Sequence, residues 1–243
     1  MNGADIRGMF AGLPGAHGII EAALNGQGLV MTDDAARPSS AAVLAGDFLF
    51  FGGEPSEELV RRALNAENRA WIVQGNSAFL ALVQAQRSGT WSERIAFDPH
   101  RQPEDAHLTA LLANLPQGVT LVPIGAAEMA FCRKTPWAAD FVSQFTEDEY
   151  ARNGLGVLVC ADGAFVSGAS SYAAYPGGIE VEVDTAPAHR GHGYATLAAA
   201  KLILTAHQQG KIATWDAANE TSAHIAQKLG YRVTCAYQVF TTA

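Results

Sequence analysis

The clearest alternation of apolar and polar positions lies between residues 178 and 231. Ile179, Val181 and Val183 alternate with Glu180, Glu182 and Asp184, which is the period of a strand with one apolar and one polar face. Pro187 cannot donate to a ladder and ends the strand. After the loop Arg190-Gly191-His192-Gly193 the period changes. Ala195, Leu197, Ala198, Ala199, Leu202, Ile203 and Ala206 recur at helical spacing and predict a helix over 194–207. The segment 211–231 then reads as a strand, a helix capped near Asn219 and a stop at Gly230.

Earlier in the chain, a short helix is expected near 19–24 and apolar runs at 28–32, 41–44 and 48–51 predict an antiparallel meander. Ser56 caps a helix whose first turn holds Glu57 and Glu58 and whose buried stripe is Leu59, Val60 and Ala63. A strand at 70–73, a helix at 77–86, a strand at 93–97 and a helix at 104–114 make up a small α/β unit. Leu115-Pro116-Gln117-Gly118 marks a boundary, giving domains 1–117 and 118–243. Beyond it come a strand at 119–124, a helix at 126–133, a break at Pro136, a helix at 137–145, and strands 156–161 and 164–175 turned by Asp162-Gly163. After Tyr231, residues 232–243 leave room for one good strand or two very short ones.

Composition narrows the class. The chain has 243 residues, 49% of them hydrophobic and 16% charged, which marks a globular protein with a core. A formal net charge of −8 argues against a nucleic-acid binder and weakly favours cationic or amine-bearing ligands. Cys132, Cys160 and Cys235 have no metal-like spacing and leave an odd thiol under any pairing, which fits a reducing compartment. No stretch of eighteen apolar residues and no basic start followed by an apolar run occurs, so a cytoplasmic location is expected. His100, Glu104, Asp105 and His107 are better read as solvated loop residues than as a metal site.

Strand, glycine loop and helix together make an anion site. Glycine lets backbone approach a ligand, and the first helical turn presents unpaired N–H groups at the positive end of its dipole. Arg190-x-x-Gly193-x-Ala195 after an acidic strand, followed by Asn219-x-x-Ser222 and Lys228-Leu229-Gly230-Tyr231, resembles the GNAT superfamily of acyl-CoA-dependent N-acetyltransferases over roughly residues 118–243. The resemblance implies an α/β (α+β) fold over those residues, with a mixed, mostly antiparallel central sheet flanked by helices; the smaller α/β domain before it, read from the pattern, is expected to shape the acceptor pocket. It implies acetyl-CoA as co-substrate without a metal, and a small-molecule amine as acceptor. Neither nucleic acid nor membrane is expected as a partner, and a homodimer is left open.

Residue by residue, the resemblance places Arg190, Gly191, His192, Gly193, Tyr194 and Ala195 around the CoA pyrophosphate. Backbone groups of Val183 and Thr185 fall beside the pantetheine arm, and Asn219 and Ser222 also contact CoA. An acceptor ammonium needs a base, for which Glu180 stands first and Glu182 next; two like charges so close lift at least one pKa. The family's tyrosine acid falls at Ala226, so the expected proton donor to the leaving thiolate is Ser222, then Tyr231 or solvent. His224 is expected at the surface or on the substrate side, and Trp215 and Asp216 either line the acceptor pocket or, for Trp215, fill core. The missing tyrosine motivates a rival reading as a CoA-binding regulatory module, and acetylation of protein lysines or N-termini is a third.

Overall fold

The computed structural model describes residues 4–243. Its first half runs α1 (Ala4–Arg7), a 3-10 turn (Gly8–Phe10), α2 (His17–Leu24), β1 (Leu29–Thr32), β2 (Ser40–Ala45), β3 (Phe48–Gly53), α3 (Glu57–Leu64), β4 (Ile72–Gln74), α4 (Ser77–Gln86), β5 (Gly89–Phe97) and α5 (Asp105–Leu112). The second half runs β6 (Val119–Pro123), α6 (Ala126–Lys134), a 3-10 helix (Pro136–Phe141), α7 (Glu147–Asn153), β7 (Gly156–Ala161), β8 (Ala164–Tyr175) and β9 (Gly178–Thr185). After a 3-10 turn (Pro187–His189) come α8 (Tyr194–Gln208), β10 (Ile212–Thr214), β11 (Asp216–Ala217), α9 (Glu220–Leu229) and β12 (Val233–Thr242).

Local chemistry sets these boundaries. Ser56 Oγ accepts from Leu59 N at 3.2 Å and Asn76 Oδ1 from Phe79 N at 3.0 Å, so α3 and α4 start where a side chain can satisfy an orphan amide. Asp162 and Gly163 both take positive φ, 49° and 84°, as a two-residue hairpin turn requires. The helix expected over 137–145 differs. Pro136 starts a 3-10 helix that stops at Phe141, and Thr146 then caps α7 through a reciprocal box with Glu149.

Two sheets result, each mostly antiparallel: a seven-stranded one ordered β1-β2-β3-β4-β12-β5-β11 and a five-stranded one ordered β10-β9-β8-β7-β6. The last strand of the chain therefore lies inside the sheet of the first half, antiparallel to β4 on one side and β5 on the other. In return, β11 from the second half pairs with β5. The residues after Tyr231 thus form one long strand, completed by neighbours from the other half.

The same unit is built twice. In each half a two-residue hairpin joins antiparallel strands, Ala45↔Phe48 in one and Tyr175↔Gly178 in the other. A helix then crosses over to a parallel strand that pairs for three residues, Phe48↔Ile72 to Phe50↔Gln74 in the first half and Gly178↔Ile212 to Glu180↔Thr214 in the second. A further helix follows, α4 or α9, and then the exchanged strands β5 and β12. Phe50 and Gln74 are thereby the counterparts of Glu180 and Thr214.

Three apolar clusters hold this together. One packs α8 and α9 on the five-stranded sheet around Leu202, Ile203 and Leu158. Another lies under α3 and α4 around Phe51, Trp71, Phe79 and Phe240. The third is capped by α2 and joins Phe48 and Phe50 of the first half to Tyr172 and Tyr175 of the second. Burial of each such side chain contributes about 1.5–3 kcal/mol, so α2 is a structural bridge between halves. No helix among the described residues is long and apolar enough to cross a membrane.

Candidate active site

β9 and β10 pair only as far as Glu180↔Thr214. β9 continues to Thr185, but its neighbour turns away through Trp215 to pair with β5 as β11. The strands part at Glu180 and leave a wedge. On the far side of β9, Ala186 N donates to Val166 O at 2.8 Å, so alternation turns the Val181 carbonyl and both backbone groups of Val183 into the wedge, while the Val181 amide closes the ladder on Thr214. A bulge at Tyr172 of β8, between the pairs Ser171↔Val181 and Ala173↔Glu180, bends the sheet at the same level.

One side of the wedge opens on a cavity of about 490 Å³ lined by Val183, Thr185, Arg190, Gly191, Gly193, Tyr194, Ala195, Asn219 and Ser222, together with His224. Gly191 and Gly193 have φ of 81° and 79°, and a side-chain carbon on either would meet nothing within 4 Å. The floor is bare backbone at the start of α8, where first-turn amides lack helical partners. That is a cradle for a diphosphate. His192 alone of the predicted loop residues does not line the cavity; its ring stacks on Tyr194 with centroids 5.5 Å apart.

Other predicted residues are placed as follows. Arg190 folds back, donating through Nε to Thr185 O at 3.2 Å and pairing with Asp184 at 3.4 Å. Thr185 N donates to Asp184 Oδ1 at 2.6 Å, so its amide and carbonyl are both engaged, whereas Val183 presents its backbone to the wedge. Asn219 Oδ1 caps α9 by accepting from Ser222 N at 2.9 Å. Ser222 Oγ accepts from Trp215 Nε1 at 3.1 Å, which leaves its own proton to be donated elsewhere. Trp215 is core, packed 5.7 Å from Tyr231. Tyr231 is buried and donates to Ala213 O at 2.7 Å, so its hydroxyl does not face the cavity.

The other side of the wedge opens on a smaller cavity of about 150 Å³. Its polar lining is Asp47, Asp140, Glu180, Glu182, Asp216 and Arg94; Ile19, Phe48, Ile72, Tyr172 and Val181 form the apolar walls. Asp216 is held by Arg94 at 2.6 Å, and Asp47 pairs with Arg69. Asp140, Glu180 and Glu182 take part in none of the ion pairs among the described residues.

The two predicted bases have different surroundings. Glu180 is 4% exposed, and Gly18 of α2 sits directly on it: a side chain at 18 would collide with the Glu180 carboxyl and the Thr214 hydroxyl. Burial, with the nearby Asp216 charge adding, lifts its pKa to about 8 against the opposing Thr214 hydrogen bond and Arg94. Thr214 Oγ1 lies 3.0 Å from Ile179 O and also contacts Glu180 Oε2. One hydroxyl proton serves one of these; given to the carbonyl, which can only accept, it leaves a neutral Glu180 to donate to Thr214. Glu182 lies two residues further into the wedge and is partly exposed. Burial first, then the charges of Asp140 and Asp184, lifts its pKa to about 7.

The chain matches the GNAT acetyltransferase family over residues 9–240. It belongs to that family. The match spans both halves, well beyond the 118–243 in which the motifs lie. Among solved structures, a GCN5-related N-acetyltransferase-like protein from Streptococcus suis 89/1591 is 32% identical, with a TM-score of 0.88 over 99% of this chain and 98% of that one. A GCN5-related N-acetyltransferase from Kribbella flavida shares the fold at 21% identity and a TM-score of 0.57, covering 84% and 86%. A tandem GNAT protein from the clavulanic acid biosynthesis pathway shares it at 16% and 0.55, covering 90% and 83%. No curated protein matches the chain by sequence.

For a GNAT acetyltransferase, the wedge joins two chemically distinct cavities across one strand. Asp47, Asp140, Arg94 and Gly18 were not singled out from the sequence. They come from β2–β3, a 3-10 helix, β5 and α2, and no local spacing connects them.

Proposed function

We propose that the chain moves an acetyl group from acetyl-CoA to a primary amine of a small molecule, by direct attack through a tetrahedral intermediate. The observation that carries this reading is the position of Glu182 where the wedge meets the acid-lined cavity, opposite the glycine cradle. The repeat supplies an internal control. At the matching positions of the first half the same fold is satisfied by Phe50 and Gly52, so acids at 180 and 182 are not demanded by the architecture.

In this reading the thioester carbonyl lies against the Val183 amide, which donates to the oxygen as it gains charge. The acceptor enters the acid-lined cavity as an ammonium drawn by Asp140 and Glu182. Glu182, poised at about 7, takes one proton from the ammonium; the amine nitrogen then bonds to the carbonyl carbon, gives up its second proton to solvent as the tetrahedral intermediate collapses, and the C–S bond breaks. Ser222, whose hydroxyl accepts from Trp215, donates toward the departing sulfur with solvent restoring its proton. Glu180 stays neutral and braces Thr214 and α2 instead of acting as base.

The cavity volume of about 150 Å³ favours a compact acceptor. The test is thiol release from acetyl-CoA with a panel of small amines, amino acids and peptides. Amine-dependent release with the acetylated amine as product supports the reading. Tight CoA binding with no amine turned over favours the second reading, a binding module, which Ala226 in the tyrosine's place motivates.

A further inference from the structure

The ladder between β9 and β10 stops one hydrogen-bonded rung short of Val183. Its last rung is Glu180↔Thr214, in which the Val181 amide meets the Thr214 carbonyl. Continued in the same register, the next rung would set Glu182 beside Asp216, with the Asp216 carbonyl taken by the Val183 amide and the Asp216 amide given to the Val181 carbonyl. The sheet would then consume the donor that acetyl transfer needs.

Local sequence does not forbid that rung. Thr214-Trp215-Asp216-Ala217 contains neither proline nor glycine, and strand resumes at Asp216 directly after Trp215. What draws Asp216 away comes from the first half. β5 takes the segment through only two pairs, Asp216↔Ala96 and Ala217↔Ile95. Arg94 of β5 adds a fork: Nε donates to Asp216 Oδ2 at 2.6 Å and Nη2 to Asp216 O at 3.3 Å. One guanidinium thus grips the aspartate side chain and the very carbonyl that the Val183 amide would otherwise take. Its carbon lies 5.1 Å from the centre of the Phe48 ring, which fixes it from the other side.

The first half supplies a comparison. Counting from Phe50↔Gln74 and Glu180↔Thr214, Gly53 and Asn76 answer to Val183 and Asp216. Among the described residues no arginine pairs with Asn76, and its Nδ2 comes back across the gap to within 3.5 Å of Gly53 O. Stability alone does not account for the arginine. The side chains of Arg94 and Asp216 are 12% and 3% exposed, and exchanging so buried an ion pair for uncharged residues of similar size is often neutral or stabilising.

We propose that Arg94 is a positioning residue for acetyl transfer: by holding the Asp216 carbonyl on the β5 side, it leaves the Val183 amide free to donate to the thioester oxygen, a role that rests on Val183 being the oxyanion donor of the proposed reaction. Arg94 acts through Asp216 and not on the thioester itself.

The test compares wild type with Arg94→Met and with Arg94→Met/Asp216→Asn. The double variant leaves no buried charge unpaired, so it remains measurable where the single variant does not fold. Amide hydrogen exchange followed by NMR on the ligand-free chain should show the Val183 N–H slowed by at least about tenfold as the ladder closes over it. In the same variants kcat should fall roughly 10²–10³-fold, the cost of losing one oxyanion donor. CoA affinity by calorimetry should move by less than about threefold, because the diphosphate cradle at 191–195 is untouched. Equal Val183 exchange in wild type and variants, a double variant whose kcat stays within about threefold of wild type, or CoA affinity falling in step with kcat would overturn the role. Exchange needs neither substrate nor turnover. Should the wild type acetylate no amine, the Val183 amide still decides what Arg94 does, separately from the proposed activity.

Discussion

At the residue scale, Glu180 and Glu182 are neighbours on one strand face with opposite duties, and burial decides between them. A carboxyl whose pKa is about 8 when folded and 4.5 when free binds more protons in the native state. Its contribution to stability is full below about 4.5 and is lost as pH rises toward 8. Glu180→Gln, which donates to Thr214 as the neutral acid does, should therefore raise the melting temperature at pH 9 and change it little at pH 5. A variant that is less stable than wild type at pH 9 would contradict the assignment. Glu182→Gln should instead lower kcat by roughly 10²–10⁴-fold and abolish the rise in rate through pH 7, with CoA affinity unaltered. The alternation of residues 179–184 made both acids visible in the sequence. Which of them is sealed was not legible, because the seal is Gly18, a glycine more than a hundred and fifty residues away that is silent in local pattern.

At the element scale, the join from β9 to α8 was readable because everything that shapes it is local: Pro187, two glycines with positive φ, and an alanine-rich helix. Gly193→Val places a β-branched residue at a φ of 79° and a side chain over the cradle, and should weaken CoA binding by roughly tenfold or more in calorimetry. Unchanged affinity would remove the cradle from the account. The motif Lys228-Leu229-Gly230-Tyr231 was equally readable, and Gly230 ends α9 at a φ of 109° as a C-terminal glycine should. The destination of the strand after it was not. The pattern of 233–242 shows that it is a strand, but its partners β4 and β5 are set by a sheet assembled from the other half.

At the scale of the whole molecule, two copies of one sheet unit exchange their last strands. The repeat is hidden in the sequence because it is kept in ladder register and not in residue type: Phe50 answers to Glu180 and Gln74 to Thr214. The exchange ties both halves into one folding unit. Removing residues 233–243 strips two ladders from β4 and β5 and takes away the buried Val239 and Phe240, each worth about 1.5–3 kcal/mol, against a total stability on the order of 5–15 kcal/mol. That truncated chain, and residues 4–117 expressed alone, should lack cooperative thermal unfolding by circular dichroism, whereas the full chain should unfold in one transition. A sharp transition in either fragment would show that the exchange is dispensable.

The wedge is where the two copies meet, and the account depends on what passes through it. A crystal structure of the full chain with CoA tests this most directly. The account predicts the diphosphate against the amides of residues 191–195 and the thiol between Val183 and Asn219, directed at the cavity that holds Glu182 and Asp140. CoA seated elsewhere, or its arm lying outside the gap between β9 and β11, would contradict it.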